Sequence, residues 1–185
     1  MKKTSFLKEF LTRNSQVGAV APSSKYLTKK MMGELSLKDA DVVVELGPGT
    51  GVFTERMLEL IGPKTTLIVL EINETFYQNL KTQIKDPRVV IIKGCATNLE
   101  LHLKQQNKKE VDFVVSSLPL AVLPTTLRNR IVFSAKNILK PGGKYVQFQY
   151  SLHSIKILKR VFDTVKIKHC VLNIPPAFVY SCTKE

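Results

Sequence analysis

The 185-residue sequence has few cysteines, few acidic residues and no long apolar run. Its three cysteines, Cys95, Cys170 and Cys182, are far apart and form no C-x-x-C pair, so neither a disulfide framework nor a zinc site is predicted. No run approaches the roughly 20 apolar residues of a membrane-spanning helix. Lys8 and Glu9 interrupt the apolar stretch near the start, which makes it a poor signal peptide. These absences predict a cytoplasmic protein with reduced cysteines.

The balance of charge is strongly basic. Lysine and arginine number 28 against 15 acidic residues, for a formal net charge of +13. This excess predicts a polyanionic partner, either an anionic membrane surface or nucleic acid, and a basic surface that serves solubility alone is the alternative. The length and the 44% hydrophobic content fit one globular unit, which we expect to be a monomer.

Short apolar stretches alternate with helical patterns, which predicts a doubly wound (Rossmann-like) α/β fold with a mostly parallel, seven-stranded sheet. The predicted strands are residues 41–46, 65–72, 89–93, 111–117, 144–151, 164–173 and 177–183, and the predicted helices are 50–61, 73–85, 125–139 and 154–162. Pro141, Gly142 and Gly143 should end the third helix and turn the chain into the next strand. Only Ile174-Pro175-Pro176 joins the last two strands, which is too short for a parallel crossover, so these strands should pair antiparallel.

The stretch V-V-V-E-L-G-P-G-T-G ends the first predicted strand in a glycine cluster. Gly47, Gly49 and Gly51 allow a tight turn and the close approach of a ligand to the start of the next helix. The dinucleotide motif G-x-G-x-x-G is not met, because Val52 stands where its third glycine would be. Glu45 would repel phosphates and attract an ammonium or a sulfonium. S-adenosylmethionine carries both groups and is the predicted cofactor.

A second acid, Glu71, ends the second predicted strand in the sequence L-I-V-L-E-I, twenty residues after Gly51. A carboxylate at this position can accept hydrogen bonds from both hydroxyls of a ribose. The alternative is that Glu71 is a solvated acid at a strand end and that the glycines form a turn only.

These two motifs together resemble the class I S-adenosylmethionine-dependent methyltransferases, whose sheet has an antiparallel last strand. Four further segments are similar to the bacterial phospholipid N-methyltransferases, which methylate phosphatidylethanolamine stepwise to phosphatidylcholine: Q-V-G-A-V-A-P-S-S-K-Y-L (16–27), S-S-L-P-L (116–120), Q-F-Q-Y-S (147–151) and N-I-P-P-A-F-V-Y (173–180). The resemblance runs from about residue 6 to residue 180. It implies that Ile72, Cys95, Ala96 and Ser116 join the glycines and the two acids in holding the cofactor.

The end of the fourth predicted strand bears on the substrate, because some relatives with these segments are named ribosomal RNA adenine dimethylases. Enzymes that methylate an adenine amine carry Asn or Asp, then an apolar residue, Pro and an aromatic ring: the amide and a backbone carbonyl accept from the amine, and the ring stacks on the flipped base. Here the equivalent residues are Ser117, Leu118, Pro119 and Leu120. We therefore favour an aliphatic amine on a lipid headgroup and keep ribosomal RNA adenine as the alternative.

A further departure from the family is K-G-C-A-T at 93–97, where Cys95 replaces the acid that usually contacts the adenine of the cofactor. A thiol accepts that hydrogen bond weakly, so either Asn98 or a backbone amide takes its place or cofactor affinity is modest. A protein that keeps this fold without catalysis and binds anionic surfaces is a third possibility.

The predicted catalytic residues at the substrate mouth are Tyr26, Ser117, Tyr150 and His153. A tyrosine ring can hold an ammonium by cation–π attraction, and His153 can pass a proton to solvent. Each has a structural alternative: a packing role for Tyr26, a core position for Tyr150, a solvated turn for His153 and a capped strand end for Ser117. Methyl transfer to an amine requires no metal.

The N-terminal residues 1–36 are predicted to form a helical segment that serves as a membrane or substrate lid, with residues 37–185 as the methyltransferase domain. Residues 5–14, taken as a helix, place Phe6, Leu7, Phe10 and Leu11 on one arc, and residues 1–30 carry seven basic side chains against the single acid Glu9. This pattern predicts peripheral association with the inner face of the membrane. A helix that only caps the cofactor pocket is the alternative.

Overall fold

In the computed structural model, which describes residues 25–185, a seven-stranded sheet separates two layers of helices. The strands are β1 (Val42–Leu46), β2 (Thr66–Glu71), β3 (Val89–Lys93), β4 (Val111–Ser116), β5 (Leu139–Gln149), β6 (Thr164–Cys170) and β7 (Ala177–Thr183). The helices are α1 (Lys25–Met32), α2 (Val52–Leu60), α3 (Glu74–Gln83), α4 (Leu99–Gln105), α5 (Thr125–Ile138) and α6 (Ile155–Val161), with 3₁₀ turns at Leu37–Asp39 and Ala96–Asn98.

The strand order is β3-β2-β1-β4-β5-β7-β6. Strands β1 to β5 pair parallel, whereas β7 lies antiparallel between β5 and β6. The predicted fold class and the antiparallel pairing of the last two strands are both confirmed. The carboxyl ends of the parallel strands share one edge of the sheet, and the connection between β6 and β7 lies at that same edge, because Gln149 pairs with Phe178 and Cys170 with Ala177.

Strand β1 shows why the sequence forms this centre. All five of its residues are buried, as expected for a central parallel strand with neighbours on both faces. Val44 and Leu46 pack in the cluster that includes residues of α4 and α5, whereas Val43 packs in the cluster that includes α1 and α2. Burying each such aliphatic side chain contributes roughly 1.5–3 kcal/mol. The strand that carries the glycine turn is therefore held rigidly on both sides.

Three elements differ from the sequence prediction. The sixth strand, predicted at 164–173, ends at Cys170. The third predicted helix ends at Ile138, and β5 begins at Leu139, so Pro141, Gly142 and Gly143 lie within the strand and not in a turn before it. The pairing of β5 with β4 is irregular at this point. Val111 pairs with Leu139 and Phe113 with Lys144, so a step of two residues along β4 corresponds to a step of five along β5. Gly142 has φ +78, which permits the local bend. Helix α4 had no counterpart in the prediction.

Helix α1 packs against the sheet through Leu27 and Met31, which have no exposed surface. Lys30 Nζ donates to the carbonyl of His169 on β6 over 2.7 Å, and Lys144 Nζ donates to the carbonyl of Glu34 over 2.9 Å. The helix therefore begins at the carboxyl edge of the sheet and runs towards the opposite edge. The domain boundary at residue 36 stays a prediction, and the helix predicted at 5–14 lies outside the described residues, as does most of the segment 16–27.

Candidate active site

A narrow cleft opens at the carboxyl edge of the sheet, where β1, β2 and β4 end. Four short stretches supply most of its walls: the glycine turn after β1, the end of β2, the residues after β3 and the loop after β4. The lining residues are Gly47, Gly49, Leu70, Glu71, Ile72, Phe76, Gly94, Cys95, Ala96, Ser117, Leu118, Pro119, Leu123 and Ile131. Seven of these were predicted as site residues from the sequence: Gly47, Gly49, Glu71, Ile72, Cys95, Ala96 and Ser117.

The glycine turn approaches the cleft with bare backbone. Gly47 and Gly49 have φ values of +68 and +58, which L side chains rarely adopt. A Cβ on Gly47 would lie 2.7 Å from Leu118 Cδ2, whereas a Cβ on Gly49 would meet open space. Gly51 is not at the cleft, contrary to the prediction: a Cβ there would lie 3.0 Å from the Leu80 side chain, so Gly51 allows α3 to pack closely.

Glu71 is the acid that faces the cleft. It is 4% exposed, and its oxygens accept from two backbone amides, Oε1 from Asn73 over 2.7 Å and Oε2 from Gly49 over 3.3 Å. Burial raises the pKa of this carboxyl, while the bonds from Asn73 and Gly49 lower it. A carboxylate offers about four lone-pair positions, so Glu71 keeps capacity to accept from a ligand. This arrangement fits the paired hydroxyls of a ribose.

Glu45 does not reach the cleft, although the sequence predicted it there. Strand alternation turns it to the same face as Val43, beneath α2, where Thr54 Oγ1 donates to Glu45 Oε2 over 2.5 Å. The side chain has no exposed surface, and Oε1 has no hydrogen-bond partner within the described residues. Burial raises the pKa of the Glu45 carboxyl to about 8. At neutral pH the group is mostly protonated and supplies little of the negative charge that was predicted.

The stretch after β3 lines the side of the cleft that the resemblance assigns to the adenine of the cofactor. Cys95 and Ala96 both face it, and Cys95 Sγ accepts from the Thr97 hydroxyl over 3.2 Å. Asn98, the suggested substitute for the missing acid, is exposed and lines a different groove. The ring of His102 occupies the space that a Cβ on Gly94 would need, which explains the glycine before Cys95.

The loop after β4 separates two serines that the sequence could not tell apart. Ser117 lines the cleft, and its Oγ is buried with no partner in the part of the chain that the structure describes. Ser116 was predicted to contact the cofactor, but it points away from the cleft and has no exposed surface. Its Oγ accepts from the amide of Leu118 over 3.3 Å. Leu120, expected at the mouth, is fully buried in the core.

Two buried glutamines of the Q-F-Q-Y-S segment hold this loop. The side-chain amides of Gln147 and Gln149 both donate to the carbonyl of Leu118, each over 2.9 Å. Their oxygens are also used: Gln147 accepts from the Tyr145 hydroxyl over 2.6 Å, and Gln149 accepts from the amide of Ala121 over 3.2 Å. The amide of Leu120 also donates to this carbonyl, over 2.8 Å, so the Leu118 carbonyl is fully engaged. Sequence reasoning noticed the segment but missed this role.

The other three predicted catalytic residues do not line the cleft. Tyr26 lies in the first turn of α1 and is 57% exposed. Tyr150 follows β5, and its ring lies edge-on to the ring of Phe148 with 5.7 Å between the two centroids. It also forms a hydrogen bond with the Asn173 side chain. Burial raises the pKa of the Tyr150 hydroxyl. His153 is exposed in the turn before α6. All three lie at or near the carboxyl edge, and their catalytic roles stay predictions.

A larger groove of about 450 Å³ lies between α4 and α5, lined in part by Leu101, Asn129 and Phe133. It contains neither the glycine turn nor an acid at a strand end, so the cleft is the better candidate. Within the described residues, no group of His, Cys, Asp and Glu side chains could hold a metal ion. No helix in residues 25–185 is both long and apolar enough to cross a membrane.

The chain is similar to known methyltransferases. The family model for ribosomal RNA adenine dimethylases matches residues 11–141. Ornithine lipid N-methyltransferase from Singulisphaera acidiphila is 30% identical over 179 residues, which cover 96% of this chain and 93% of that protein.

Two solved structures share the fold over most of the chain. The N-methyltransferase NodS from Bradyrhizobium japonicum WM9, in complex with S-adenosylhomocysteine, has a TM-score of 0.72 at 13% identity and covers 96% of this chain and 98% of its own. Precorrin-6y C5,15-methyltransferase from Geobacter metallireducens GS-15 has a TM-score of 0.69 at 15% identity, with coverages of 90% and 92%. At these identities the two structures establish the fold alone.

Proposed function

Because the chain belongs to the ribosomal RNA adenine dimethylase family of class I S-adenosylmethionine-dependent methyltransferases, we propose that its acceptor is the primary amine of a membrane-lipid headgroup. The protein is an S-adenosylmethionine-dependent N-methyltransferase. Phosphatidylethanolamine is the headgroup that the sequence resemblance favours. The relative named for ornithine lipid adds a second headgroup with the same chemistry, since both lipids present a primary amine on an aliphatic carbon.

The observation that carries the proposal is the loop after β4. Recognition of an adenine amine relies on a carboxamide and a free backbone carbonyl as acceptors and on an aromatic ring for stacking. In this chain Ser117 replaces the carboxamide, the carbonyl of Leu118 already accepts two glutamine amides, and Leu120 is buried in the core. All three differences disfavour a flipped adenine, whereas an aliphatic amine requires neither stacking nor two acceptors.

The residues of the cleft suit the chemistry of amine methylation. When bound, S-adenosylmethionine supplies an electrophilic methyl group on its sulfonium. Glu71 and the backbone of Gly47 and Gly49 would hold the cofactor, and the carboxylate would accept from the ribose hydroxyls. The side chains of Leu118, Leu123 and Ile131 exclude water, and a poorly solvated site favours the neutral, nucleophilic amine over the ammonium. The remaining contribution is to position the amine for in-line attack.

Ser117 is the residue we assign to the amine. Its Oγ lines the cleft and lacks a partner within residues 25–185, so it is free to accept a hydrogen bond from the attacking nitrogen. A primary or secondary amine can donate an N–H to this oxygen while its lone pair stays free to attack the methyl group.

Labelled S-adenosylmethionine distinguishes the acceptors directly. Vesicles of phosphatidylcholine with phosphatidylethanolamine, vesicles of phosphatidylcholine with ornithine lipid, and protein-free ribosomal RNA are each incubated with the wild-type protein and with the Glu71→Ala variant. We expect label in at least one of the two amine-bearing lipids and none in the RNA, with labelling reduced in the variant. Label in ribosomal RNA with both lipids unlabelled would reverse the assignment and favour an RNA adenine methyltransferase.

A further inference from the structure

The connection between β6 and β7 carries an exposed apolar group, which we call the apolar tip: Val171, Leu172 and Ile174. These side chains are 62%, 61% and 82% exposed. Turns between strands are usually polar, so three aliphatic side chains turned to solvent in one short connection form an unusual surface. Exposed apolar groups of this kind mark sites that bind a protein or a membrane.

The tip is held in shape by the residue between its members. Asn173 is 3% exposed, its Nδ2 donates to the carbonyl of Pro175 over 2.7 Å, and its side chain also forms a hydrogen bond with Tyr150. Because this polar residue turns inwards, its apolar neighbours Leu172 and Ile174 face outwards. The conformation is therefore set by contacts within the protein.

The tip lies at the edge of the sheet where the cofactor cleft opens. Cys170 and Ala177, which flank the connection, pair with each other, and Phe178 pairs with Gln149 at the carboxyl end of β5. Leu152, which follows β5 at this edge, is also 45% exposed. A membrane surface in contact with the tip would therefore also face the edge of the sheet at which the cleft opens.

The chain that leads to the tip is rich in basic residues. In the chain from residue 150 to residue 176, Asp163 is the one acid, and it is paired with Lys136. The same stretch carries five basic residues, of which Lys168 is paired with Glu34: Lys156, Lys159, Arg160, Lys166 and Lys168. Helix α1 has no acid either: Lys25 begins it at the carboxyl edge, Lys29 and Lys30 lie in its last turn, and Lys30 Nζ donates to the carbonyl of His169. An apolar tip within basic surroundings matches a bilayer with anionic headgroups.

We propose that the apolar tip inserts into an anionic lipid bilayer and that the basic residues of α1 and α6 contact the lipid phosphates. This docking surface is separate from the N-terminal segment that the sequence predicted as the anchor. It rests on the proposed function, since docking here turns the cleft towards the lipid that is to be methylated.

The chain has no tryptophan, which gives a direct test by fluorescence. The full-length Leu172→Trp variant carries a single indole at the tip, and the full-length Leu101→Trp variant is the matched control, because Leu101 is 53% exposed but lies beside α5. Vesicles of phosphatidylglycerol and phosphatidylcholine are added, with and without brominated acyl chains. We expect a blue shift and strong quenching at position 172 and little change at 101. Equal quenching at both positions, or none at 172, would overturn the proposal.

A second pair of variants measures the contribution of the tip to binding. The double variant Leu172→Asp/Ile174→Asp should lower partitioning onto phosphatidylglycerol vesicles at least about tenfold, while Leu101→Asp should leave it nearly unchanged. Both should bind S-adenosylhomocysteine as the wild type does, which shows that the fold is intact. Undiminished vesicle binding by the double variant, or a dimer of wild-type protein that the double variant abolishes, would refute insertion into lipid.

The same variants separate this inference from the proposed function. If the wild type docks through the tip but labels neither amine-bearing lipid, the docking surface stands and the proposed function fails. If the wild type labels vesicles and the double variant labels them equally, the function stands and the docking surface fails. A short-chain, monomeric phosphatidylethanolamine should be methylated equally by the wild type and the double variant, since it needs no docking.

Discussion

Replacing Glu45 by Gln should change how the stability of this protein depends on pH. The Glu45 side chain has no exposed surface, and its pKa is raised from 4.5 to about 8, chiefly by burial. Between these two values the folded protein holds a proton that the unfolded chain releases. Stability contributed by this group is therefore present below pH 4.5 and is lost as the pH rises towards 8. Glutamine resembles the protonated acid in shape and has no such dependence.

The expected magnitude follows from the width of that window. Each pH unit between the pKa of Glu45 in the unfolded chain and its pKa in the folded protein lowers the free energy of unfolding by about 1.4 kcal/mol. From pH 5 to pH 8.5 the wild type should therefore lose about 4 kcal/mol more than the variant. At pH 5 the two should differ by less than about 1 kcal/mol, because the amide oxygen of glutamine can still accept from the Thr54 hydroxyl. The free energy of unfolding of a typical protein is about 5–15 kcal/mol, so this loss is large.

Urea denaturation at pH 5, 7 and 8.5 measures the effect for the wild type and for Glu45→Gln. Other titrating groups, including Glu71, are present in both proteins and cancel in the difference between their pH profiles. We expect the variant to be the more stable protein at pH 8.5. Two parallel profiles would show that Glu45 does not hold a proton in the folded state, and would restore the charged carboxylate that the sequence predicted.

Two further predictions concern the cleft. The Glu71→Ala variant should bind S-adenosylhomocysteine more weakly than the wild type by roughly 1–3 kcal/mol, measured by calorimetry. The control is Glu74→Ala, which removes an exposed carboxylate three residues away. Equal affinities of the two variants would contradict the assignment of Glu71 to the ribose. The Gln147→Leu/Gln149→Leu variant should lose roughly 1–3 kcal/mol of stability for each buried group left unpaired. It should also methylate lipid more slowly, because the Leu118 carbonyl loses two of its three donors and keeps only the Leu120 amide. An unchanged rate and an unchanged denaturation midpoint would show that the glutamines do not position the loop.

The sequence predicted the central fold well because periodicity reports burial directly. Strand β1 is buried on both faces and begins with three consecutive valines, which are typical of a buried strand. The short link before Ala177 permits only an antiparallel return. The start of β5 was missed because Pro141 and two glycines usually end an element, whereas here an irregular pairing with β4 admits them. That choice depends on the neighbouring strand and is invisible in the local sequence.

The sequence predicted those site residues whose position follows from the course of the backbone. It missed those whose position depends on contacts with residues distant in the sequence. The glycine turn and Glu71 follow from strand ends that share an edge of the sheet. Ser116 and Ser117 are consecutive, so strand alternation directs one into the core and the other into the cleft, but nothing in the S-S pair says which. The anchoring of Leu118 depends on glutamines nearly thirty residues later, a contact that only the folded sheet brings about.

The direction of β7 links the cleft to the docking surface. Since β7 runs antiparallel beside β6, the chain turns back at the carboxyl edge, and the apolar tip lies there together with the ends of β1, β2 and β4. A parallel β7 would require the chain to cross back over the sheet and begin at the opposite edge, with no short connection beside the cleft. The reversed strand therefore gives a largely parallel sheet one tight turn on its catalytic edge. If that turn enters the bilayer, the topology of the sheet determines the orientation in which the cleft meets its lipid.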